Sequence, residues 1–301
     1  MALLRHLDAV ARRATTLRRR SIAVRLSAAV LALCWVWTAY TQMAPLSYKQ
    51  LKEDLWVIEG TSNGSGDAGN IAVLVTSEGV ILVDDRFAQD FSEVTAAVRK
   101  ITPLPVKYVI NTHHHGDHTG GNAQMLAGAR VLIQANARRH MIQADMPGAP
   151  PITFTQEASV FLGGKEVRAV YTGRGHTDGD VTVYIPHDRA VHLGDLMAGT
   201  NGVTNPVMDY ANGASLKAWP ATLDGALQLD PEIVIPGHGA VTDKAGLLAH
   251  RNKIAAVLQR AANLVRENKS KDEIGKTMVS EFDFKPINLR PLDGLMAELK
   301  N

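Results

Sequence analysis

Residues 111–121 have the sequence NTHHHGDHTGG, and they directly follow the apolar segment VKYVI at residues 106–110. We predict that this apolar segment is a buried strand, which places the histidines at a carboxyl end where side chains can converge. His113 and His115 are two residues apart, so in an extended chain both imidazoles point to one side and His114 points to the other. The spacing therefore predicts a metal site that uses His113 and His115 and leaves out His114.

A second metal ion is predicted by the residues that follow. Gly116 permits a sharp turn, so that Asp117 and His118 can face a second point close to the first. Imidazole nitrogens and carboxylate oxygens without sulfur suit zinc first, with iron or manganese as alternatives. The single cysteine, Cys34, lies far from this stretch, so we expect no thiolate ligand.

Strand and helix patterns alternate twice along the chain from Leu51 onward. A Ser-Glu-Gly turn at residues 77–79 separates two apolar runs and predicts a hairpin. Hairpins followed by helices in each half favour two packed sheets with helices on their outer faces, a four-layer α/β sandwich. The predicted helices cover residues 89–100, about 121–127, about 137–143, 215–229 and 243 to about 268.

The motif His113-x-His115-x-Asp117-His118 resembles the HxHxDH signature of the metallo-β-lactamase superfamily. Three later segments resemble its remaining motifs in order and spacing: GRGHTDGD at residues 173–180, HLGDLM at 192–197 and IPGHG at 235–239. The similarity extends over roughly residues 51–243. It implies the αβ/βα metallo-β-lactamase sandwich.

The resemblance also implies a ligand set for two zinc ions. Three histidines would bind the first ion, an aspartate and two histidines the second, and one further aspartate would bridge them. These residues are His113, His115 and His176, then Asp117, His118 and His238, and Asp195 as the bridge. Asp84, in the segment VILVDD, matches the first acidic position of the superfamily, where it either orients a ligand from behind or caps the strand end.

The implied reaction is hydrolysis by a metal-bridging hydroxide that attacks a carbonyl carbon, with Asp117 moving the proton to the leaving group. Candidate substrates contain a lactam, lactone or related ester bond, and β-lactamase activity is among them. Asp195 stands where many zinc β-lactamases have cysteine or serine, and GDLMAG lacks a basic residue; both departures weaken that assignment. Lactonases and thioesterases of the glyoxalase II type share the bridging aspartate, and a non-catalytic di-iron redox module is the alternative from another class.

Residues 1–44 differ from the rest of the 301-residue chain in charge. They contain seven arginines and one acid, whereas the remainder has 25 basic and 29 acidic side chains. The negative balance of the remainder argues against a nucleic-acid-binding domain and leaves a small-molecule substrate as the expected partner. The arginines precede an uncharged run at residues 26–48, typical of a signal peptide or signal anchor, with an organelle transit peptide as the alternative.

We therefore predict a leader over residues 1–44 and a catalytic domain over residues 45–301. The expected location is periplasmic or secreted, with anchoring to the inner membrane left open. The Gly-rich segment 61–70 is either a substrate flap above the metals or an idle hairpin tip. Three residues follow Asp195 and either pack in the core or line a substrate pocket: Met197, Tyr210 and Trp219.

Overall fold

β-Strands form two large sheets in residues 46–60, 68–200 and 203–300, which are the residues that the computed structural model describes. The predicted leader and most of the predicted flap, residues 61–67, lie outside the described residues. The first sheet has seven strands that lie side by side in sequence order. They are β1 (Tyr48–Gln50), β2 (Leu55–Ile58), β3 (Ile71–Thr76), β4 (Gly79–Val83), β5 (Val106–Ile110), β6 (Arg130–Gln134) and β7 (Ile152–Phe154).

The second sheet has five strands, and its last strand comes late in the chain. Its members are β8 (Glu157–Leu162), β9 (Lys165–Val170), β10 (Thr182–Ile185), β11 (Ala190–His192) and β14 (Ile233–Ile235). They lie in the order β14-β11-β10-β9-β8. Two short strands, β12 (Gly199–Thr200) and β13 (Val203–Thr204), form a separate ribbon.

Helices cover the outer faces of both sheets. The longest is α6, with 23 residues, and Asp243 caps its N-terminus by accepting the N–H of Gly246 at 2.9 Å. The helices of the described residues are α1 (Phe91–Ile101), α2 (Gly116–Thr119), α3 (Asn122–Met125), α4 (Ala135–Gln143), α5 (Trp219–Gln228), α6 (Lys244–Arg266), α7 (Lys271–Phe282), α8 (Pro286–Leu289) and α9 (Leu292–Lys300).

Alternating side chains along the strands divide the core into layers. In β3, Ala72 and Leu74 pack in one cluster with Val183 of the second sheet, whereas Ile71 and Val73 pack with residues of α1 and α3. Successive side chains of an extended strand point to opposite faces, so β3 serves both layers. On the far side of the second sheet, residues of α5, α6, α7 and α9 share a third cluster. The result is the four-layer αβ/βα sandwich that the sequence predicts.

Parallel pairing places the carboxyl ends of neighbouring strands at the same edge of each sheet. β4 pairs in parallel with β5, with Val83 opposite Ile110, and β11 pairs in parallel with β14, with His192 opposite Ile235. Parallel neighbours run in the same direction, so the segments that follow them leave from the same side. Nε2 of His118, after β5, lies 3.3 Å from Nε2 of His238, after β14, so these segments of the two sheets meet at one edge of the sandwich.

The predicted hairpin is confirmed, because β3 and β4 pair antiparallel with Thr76 opposite Gly79. The helix predicted over residues 215–229 begins four residues later, at Trp219, after turns at 216–218. Three helices after α6 were not predicted. The first of them, α7, begins with a capping box, in which Ser270 and Glu273 each accept a backbone N–H of the other.

Within residues 46–60, 68–200 and 203–300, none of the helices combines the length and the apolar character that crossing a bilayer requires. The predicted signal peptide or anchor falls in the leader, outside these ranges.

We expect Trp219→Phe to lower the free energy of unfolding by about 2 kcal/mol, because it removes a buried hydrogen bond and leaves a small cavity. The Trp219 side chain is 1% exposed, and its Nε1–H donates to the carbonyl of Leu196 at 3.1 Å. Urea denaturation measures the effect. Trp56→Phe, at a partly exposed tryptophan of β2, is the matched control and should cost less. Equal losses for the two variants would contradict this account of the core.

Candidate metal centre

All seven predicted metal ligands lie in the segments that leave the carboxyl ends of strands. This edge is where β4 and β5 of one sheet face β11 and β14 of the other. Four of the residues follow β5, and one each follows β9, β11 and β14. They are His113, His115, Asp117 and His118, then His176, Asp195 and His238.

Three imidazoles and a carboxylate form the first group. Nδ1 of His115 lies 3.2 Å from Nε2 of His113 and 2.9 Å from Nε2 of His176. Oδ2 of Asp195 lies 3.6 Å from Nε2 of His176. One donor atom from each of these four residues lies within 4.8 Å of the others, so the group has the dimensions of a metal site.

The second group consists of Asp117, His118 and His238. Nε2 of His118 lies 3.3 Å from Nε2 of His238, and Oδ2 of Asp117 lies 3.3 Å from the first of these nitrogens and 3.1 Å from the second. Asp195 reaches this group too, because its Oδ1 lies 3.3 Å from Nε2 of His118 and 3.4 Å from Nε2 of His238. Asp195 thus lies between the groups with one oxygen toward each.

Hydrogen bonds on the outer side of the rings fix where the imidazole protons are. Nδ1–H of His118 donates to Oδ2 of Asp84 at 2.8 Å, and Nδ1–H of His176 donates to the carbonyl of Val207 at 2.5 Å. Carboxylate and carbonyl oxygens only accept, so the proton of the neutral ring must be on Nδ1. Nε2 of each ring therefore presents a lone pair to the inside of the site.

Asp209 fixes the tautomer of His115 in the same way, and the sequence analysis missed it. Its Oδ2 accepts Nε2–H of His115 at 2.9 Å, which leaves the lone pair on Nδ1, the nitrogen that faces the first group. Burial alone would raise the pKa of Asp209, but hydrogen bonds from His115 and Asn212 lower it overall. A turn-forming Asp209-x-x-Asn212-Gly213 pattern was visible in the sequence, but nothing there linked it to a histidine 94 positions away.

The donor set fits divalent metal ions. Nε2 of His113, Nδ1 of His115 and Nε2 of His176 face one another at close range, an arrangement that a cation bound among them would stabilise. Oδ1 of Asp195 is buried and has no hydrogen-bond partner within the described ranges. Burial lowers the pKa of His118, but the carboxylates of Asp117, Asp195 and Asp84 raise it well above its usual value, so the surroundings favour positive charge.

Electrostatics keep the remaining groups in their ligating forms. Burial lowers the pKa of His113 well below its usual value, and the neighbouring imidazoles lower it further, so this ring is neutral. Burial would raise the pKa of Asp117, but His118 and His238 lower it overall, so this carboxyl group is ionised at neutral pH. Neutral imidazole and ionised carboxylate are the forms that bind metals.

Asp84 lies behind the second group and is completely buried. Besides His118, it accepts the backbone N–H of Thr112 at 2.7 Å on Oδ1 and the Thr112 hydroxyl at 2.8 Å on Oδ2. The carboxylate therefore both caps the end of β5 and holds the ring of His118.

His114 belongs to neither of the two groups. Its ring lies 4.9 Å from that of His140, and burial together with His115 and His140 lowers its pKa to about 3. With His115 and Asp209 it forms a third set of possible donors within 4.8 Å, but in this set Nε2 of His115 already donates to Asp209.

Asn70 is a second residue that the sequence analysis missed. Its Nδ2 donates to the carbonyls of Pro236 and Gly239, each at 2.9 Å, and its backbone N–H donates to the carbonyl of Gly237 at 2.7 Å. These bonds hold the loop of His238 against the start of β3. Gly237 is required here, since a Cβ on it would collide with Oδ1 of Asp195.

Of the three residues predicted to lie either in the core or in a substrate pocket, Met197 and Trp219 lie in the core and Tyr210 is half-buried at its margin. Met197 is 6% exposed and Trp219 is 1% exposed, and both pack in the cluster outside the second sheet. Tyr210 packs against the same cluster and donates its hydroxyl to Glu298 at 2.7 Å.

A two-sheet sandwich with imidazole and carboxylate donors at its edge has the ligands that a metal-dependent hydrolase needs. The model of the metallo-beta-lactamase superfamily matches residues 64–238, more than half of the chain. The protein belongs to this superfamily, and it is a metal-dependent hydrolase.

Curated relatives and solved structures agree with this family. The chain is 28% identical over 217 residues to a metallo-beta-lactamase type 2 of Bacillus cereus, covering 68% of this chain and 80% of the relative. It is 25% identical over 215 residues to the enzyme of that name from Elizabethkingia meningoseptica, covering 69% and 85%. The fold is that of the metallo-beta-lactamase from Pontibacter korlensis, with a TM-score of 0.62 and 23% identity over 69% of this chain and 98% of that one. DIM-1 metallo-beta-lactamase gives a TM-score of 0.60 and 22% identity, covering 71% and 98%.

We expect Asp84→Asn to weaken zinc binding by the second group about 10- to 100-fold. Both carboxylate oxygens of Asp84 accept hydrogen bonds and an amide nitrogen cannot accept one, so either Nδ1–H of His118 or the backbone N–H of Thr112 loses its acceptor. Zinc content after dialysis and titration against a chromophoric chelator measure the loss. Asp188→Asn, at a buried aspartate away from the site, is the matched control. If Asp84→Asn retained as much zinc as this control, the carboxylate would have no part in orienting the ligand.

Proposed function

We propose that the protein is a dinuclear zinc hydrolase that opens a cyclic amide, a lactam, by adding water to its carbonyl carbon. The observation that supports two ions rather than one is the position of Asp195. Its two oxygens face two different donor groups, at 3.6 Å from His176 on one side and 3.3 Å from His118 on the other. A carboxylate so placed can bridge two cations.

Zinc is the proposed metal because the donors are nitrogen and oxygen with no sulfur, and iron or manganese remain the alternatives. His113, His115 and His176 would hold one ion, and Asp117, His118 and His238 the other. When bound, two zinc ions supply Lewis acidity toward a carbonyl oxygen and a hydroxide nucleophile at neutral pH.

Asp117 is the proposed proton carrier. Its Oδ2 faces His118 and His238, while 21% of the side chain stays exposed, so the carboxylate borders both the metal site and solvent. Its depressed pKa keeps it ionised and able to accept a hydrogen bond from the attacking water. Asp117 would receive that proton and return it to the nitrogen or oxygen of the leaving group.

The names of the relatives support a β-lactam as the lactam. Two observations favour a lactone as the second candidate: Asp195 occupies the bridging position, and the segment GDLMAG at residues 194–199 offers no basic side chain for a substrate carboxylate. Because lactams and lactones both present a strained or activated ring carbonyl, one site can be tested against both.

We propose further that the enzyme acts outside the cytoplasm, as a periplasmic or secreted protein or one tethered to the inner membrane. The support is the Arg-rich, then uncharged, sequence of residues 1–48. Fusion of residues 1–48 to an alkaline phosphatase that is active only after export should give active reporter. Replacement of Arg18, Arg19 and Arg20 by glutamate should reduce it, and an inactive wild-type fusion would exclude export.

Hydrolysis by the zinc-loaded full chain should be measured on a chromogenic cephalosporin, acyl-homoserine lactones and a thioester. We expect chelator-sensitive turnover of the cephalosporin or a lactone. His115→Ala should abolish it, whereas His187→Ala, at an exposed histidine away from the site, should not.

Asp117→Asn should lower kcat by 10²- to 10⁴-fold, the range for loss of a general acid or base.

Each outcome separates the candidate functions. Turnover of the thioester alone would replace ring opening by the glyoxalase II type of reaction. Two bound irons with a visible absorption band and no turnover of any substrate would identify the non-catalytic redox module. Full zinc occupancy without turnover of the panel would overturn the proposed substrate class.

A further inference from the structure

Glu298 lies on the C-terminal helix α9. Its carboxylate accepts hydrogen bonds from residues of a segment that contacts the histidines of the metal centre. Its Oε1 accepts the hydroxyl of Ser215 at 2.6 Å and the backbone N–H of Lys217 at 3.4 Å. Its Oε2 accepts the hydroxyl of Tyr210 at 2.7 Å and the backbone N–H of Leu216 at 3.1 Å. The carboxylate thus serves two backbone N–H groups just before α5, where negative charge is favoured.

The segment that Glu298 holds is the segment that holds two histidines of the first group. Asp209 accepts Nε2–H of His115, and its backbone N–H donates to the carbonyl of His176 at 3.0 Å. The carbonyl of Val207 accepts Nδ1–H of His176. At the other end, the backbone N–H of Ser215 donates to the carbonyl of Gly175 at 3.0 Å. Residues 207–215, which we call the Asp209 loop, therefore set the orientation of both rings.

The Asp209 loop contains no long strand or helix; its regular structure is a single 3₁₀ turn at Tyr210–Asn212. Its support comes from the C-terminal helices. The ring of Tyr210 lies so close to α9 that a Cβ on Gly294 would be 2.5 Å from its Cδ2. Nδ2 of Asn288 donates to the carbonyl of Pro206 at 3.2 Å, just before the loop.

From these contacts we propose that Glu298 is a positioning residue for the metal centre, acting on His115 and His176 through Tyr210, Ser215 and the Asp209 loop. The C-terminal helices lie beyond residue 238, where the family match ends, so this support is separate from the motifs that supply the ligands. Metal binding tests the proposal without reference to any substrate, so a failure of the proposed lactam hydrolysis would not affect the test.

The experiment compares Zn²⁺ affinity and the visible spectrum of the Co²⁺-loaded full chain in Glu298→Gln and in the wild type. The amide keeps one accepting oxygen but replaces the other with an N–H₂ group, which cannot accept the backbone N–H of Leu216 or Lys217. The hydrogen bonding on that side of the carboxylate, which also holds Tyr210 or Ser215, is therefore disrupted while the size of the side chain is kept. We expect about tenfold weaker binding of one metal ion, at the low end for groups that orient ligands, and altered Co²⁺ absorption bands. Asp293→Asn is the matched control, since Asp293 lies on the same helix but pairs with Lys271 at 2.6 Å and not with the loop.

A double variant with Asp209→Asn tests the route. If Glu298 acts through the Asp209 loop, the affinity loss of the double variant should be smaller than the product of the two single losses. Multiplying losses would instead show that Glu298 acts elsewhere and would overturn the route.

The outcome that would overturn the proposal itself is a folded Glu298→Gln protein with the Zn²⁺ affinity and Co²⁺ spectrum of Asp293→Asn, whatever its melting temperature. Such a result would leave Glu298 as a stabilising contact only. Should Glu298→Gln fail to fold, Tyr210→Phe removes one hydroxyl and keeps the packed ring. We expect it to weaken metal binding in the same direction by a smaller factor, and unchanged binding would then reject the proposal.

Discussion

The close approach of imidazole lone pairs and carboxylates at one edge of the sandwich is the constraint on which the rest of the structure depends. Imidazole nitrogens that lie 2.9 to 3.3 Å apart with their lone pairs toward one another are unfavourable neighbours unless a cation lies among them. The fold therefore has to hold these side chains in place, and it does so with hydrogen bonds on the outer nitrogens. Metal binding and the tertiary structure are consequently coupled.

The two donor groups are supported from different parts of the chain. Asp84 and Asn70, at the ends of strands of the first sheet, hold His118 and the loop of His238. The rings of His115 and His176 depend on the Asp209 loop, which packs against the C-terminal helices. The first pair of supports adjoins the strands of a sheet, whereas the Asp209 loop combines backbone hydrogen bonds to residues 175–178 with side-chain contacts to the C-terminal helices.

Local sequence patterns predicted most of the fold, because hydrophobic periodicity and turn residues depend only on neighbouring positions in the chain. The hairpin of β3 and β4 and the strand before His113 follow from them. The start of α5 was placed four residues too early, because residues 216–218 form turns and the helix begins at Trp219. The C-terminal helices were missed although the capping box at Ser270 is a local signal.

The sequence by itself determined the family, the layered fold and the residues that carry the donor atoms, because all of these are written in spacing and residue type. Only the tertiary structure decided which nitrogen of His115, His118 and His176 faces the site. That choice depends on acceptors far away in the chain: Asp84 lies 34 positions from His118, and Asp209 lies 94 positions from His115. A local sequence pattern identifies a candidate ligand, but the folded chain supplies the acceptor that fixes the position of its proton and the orientation of its ring.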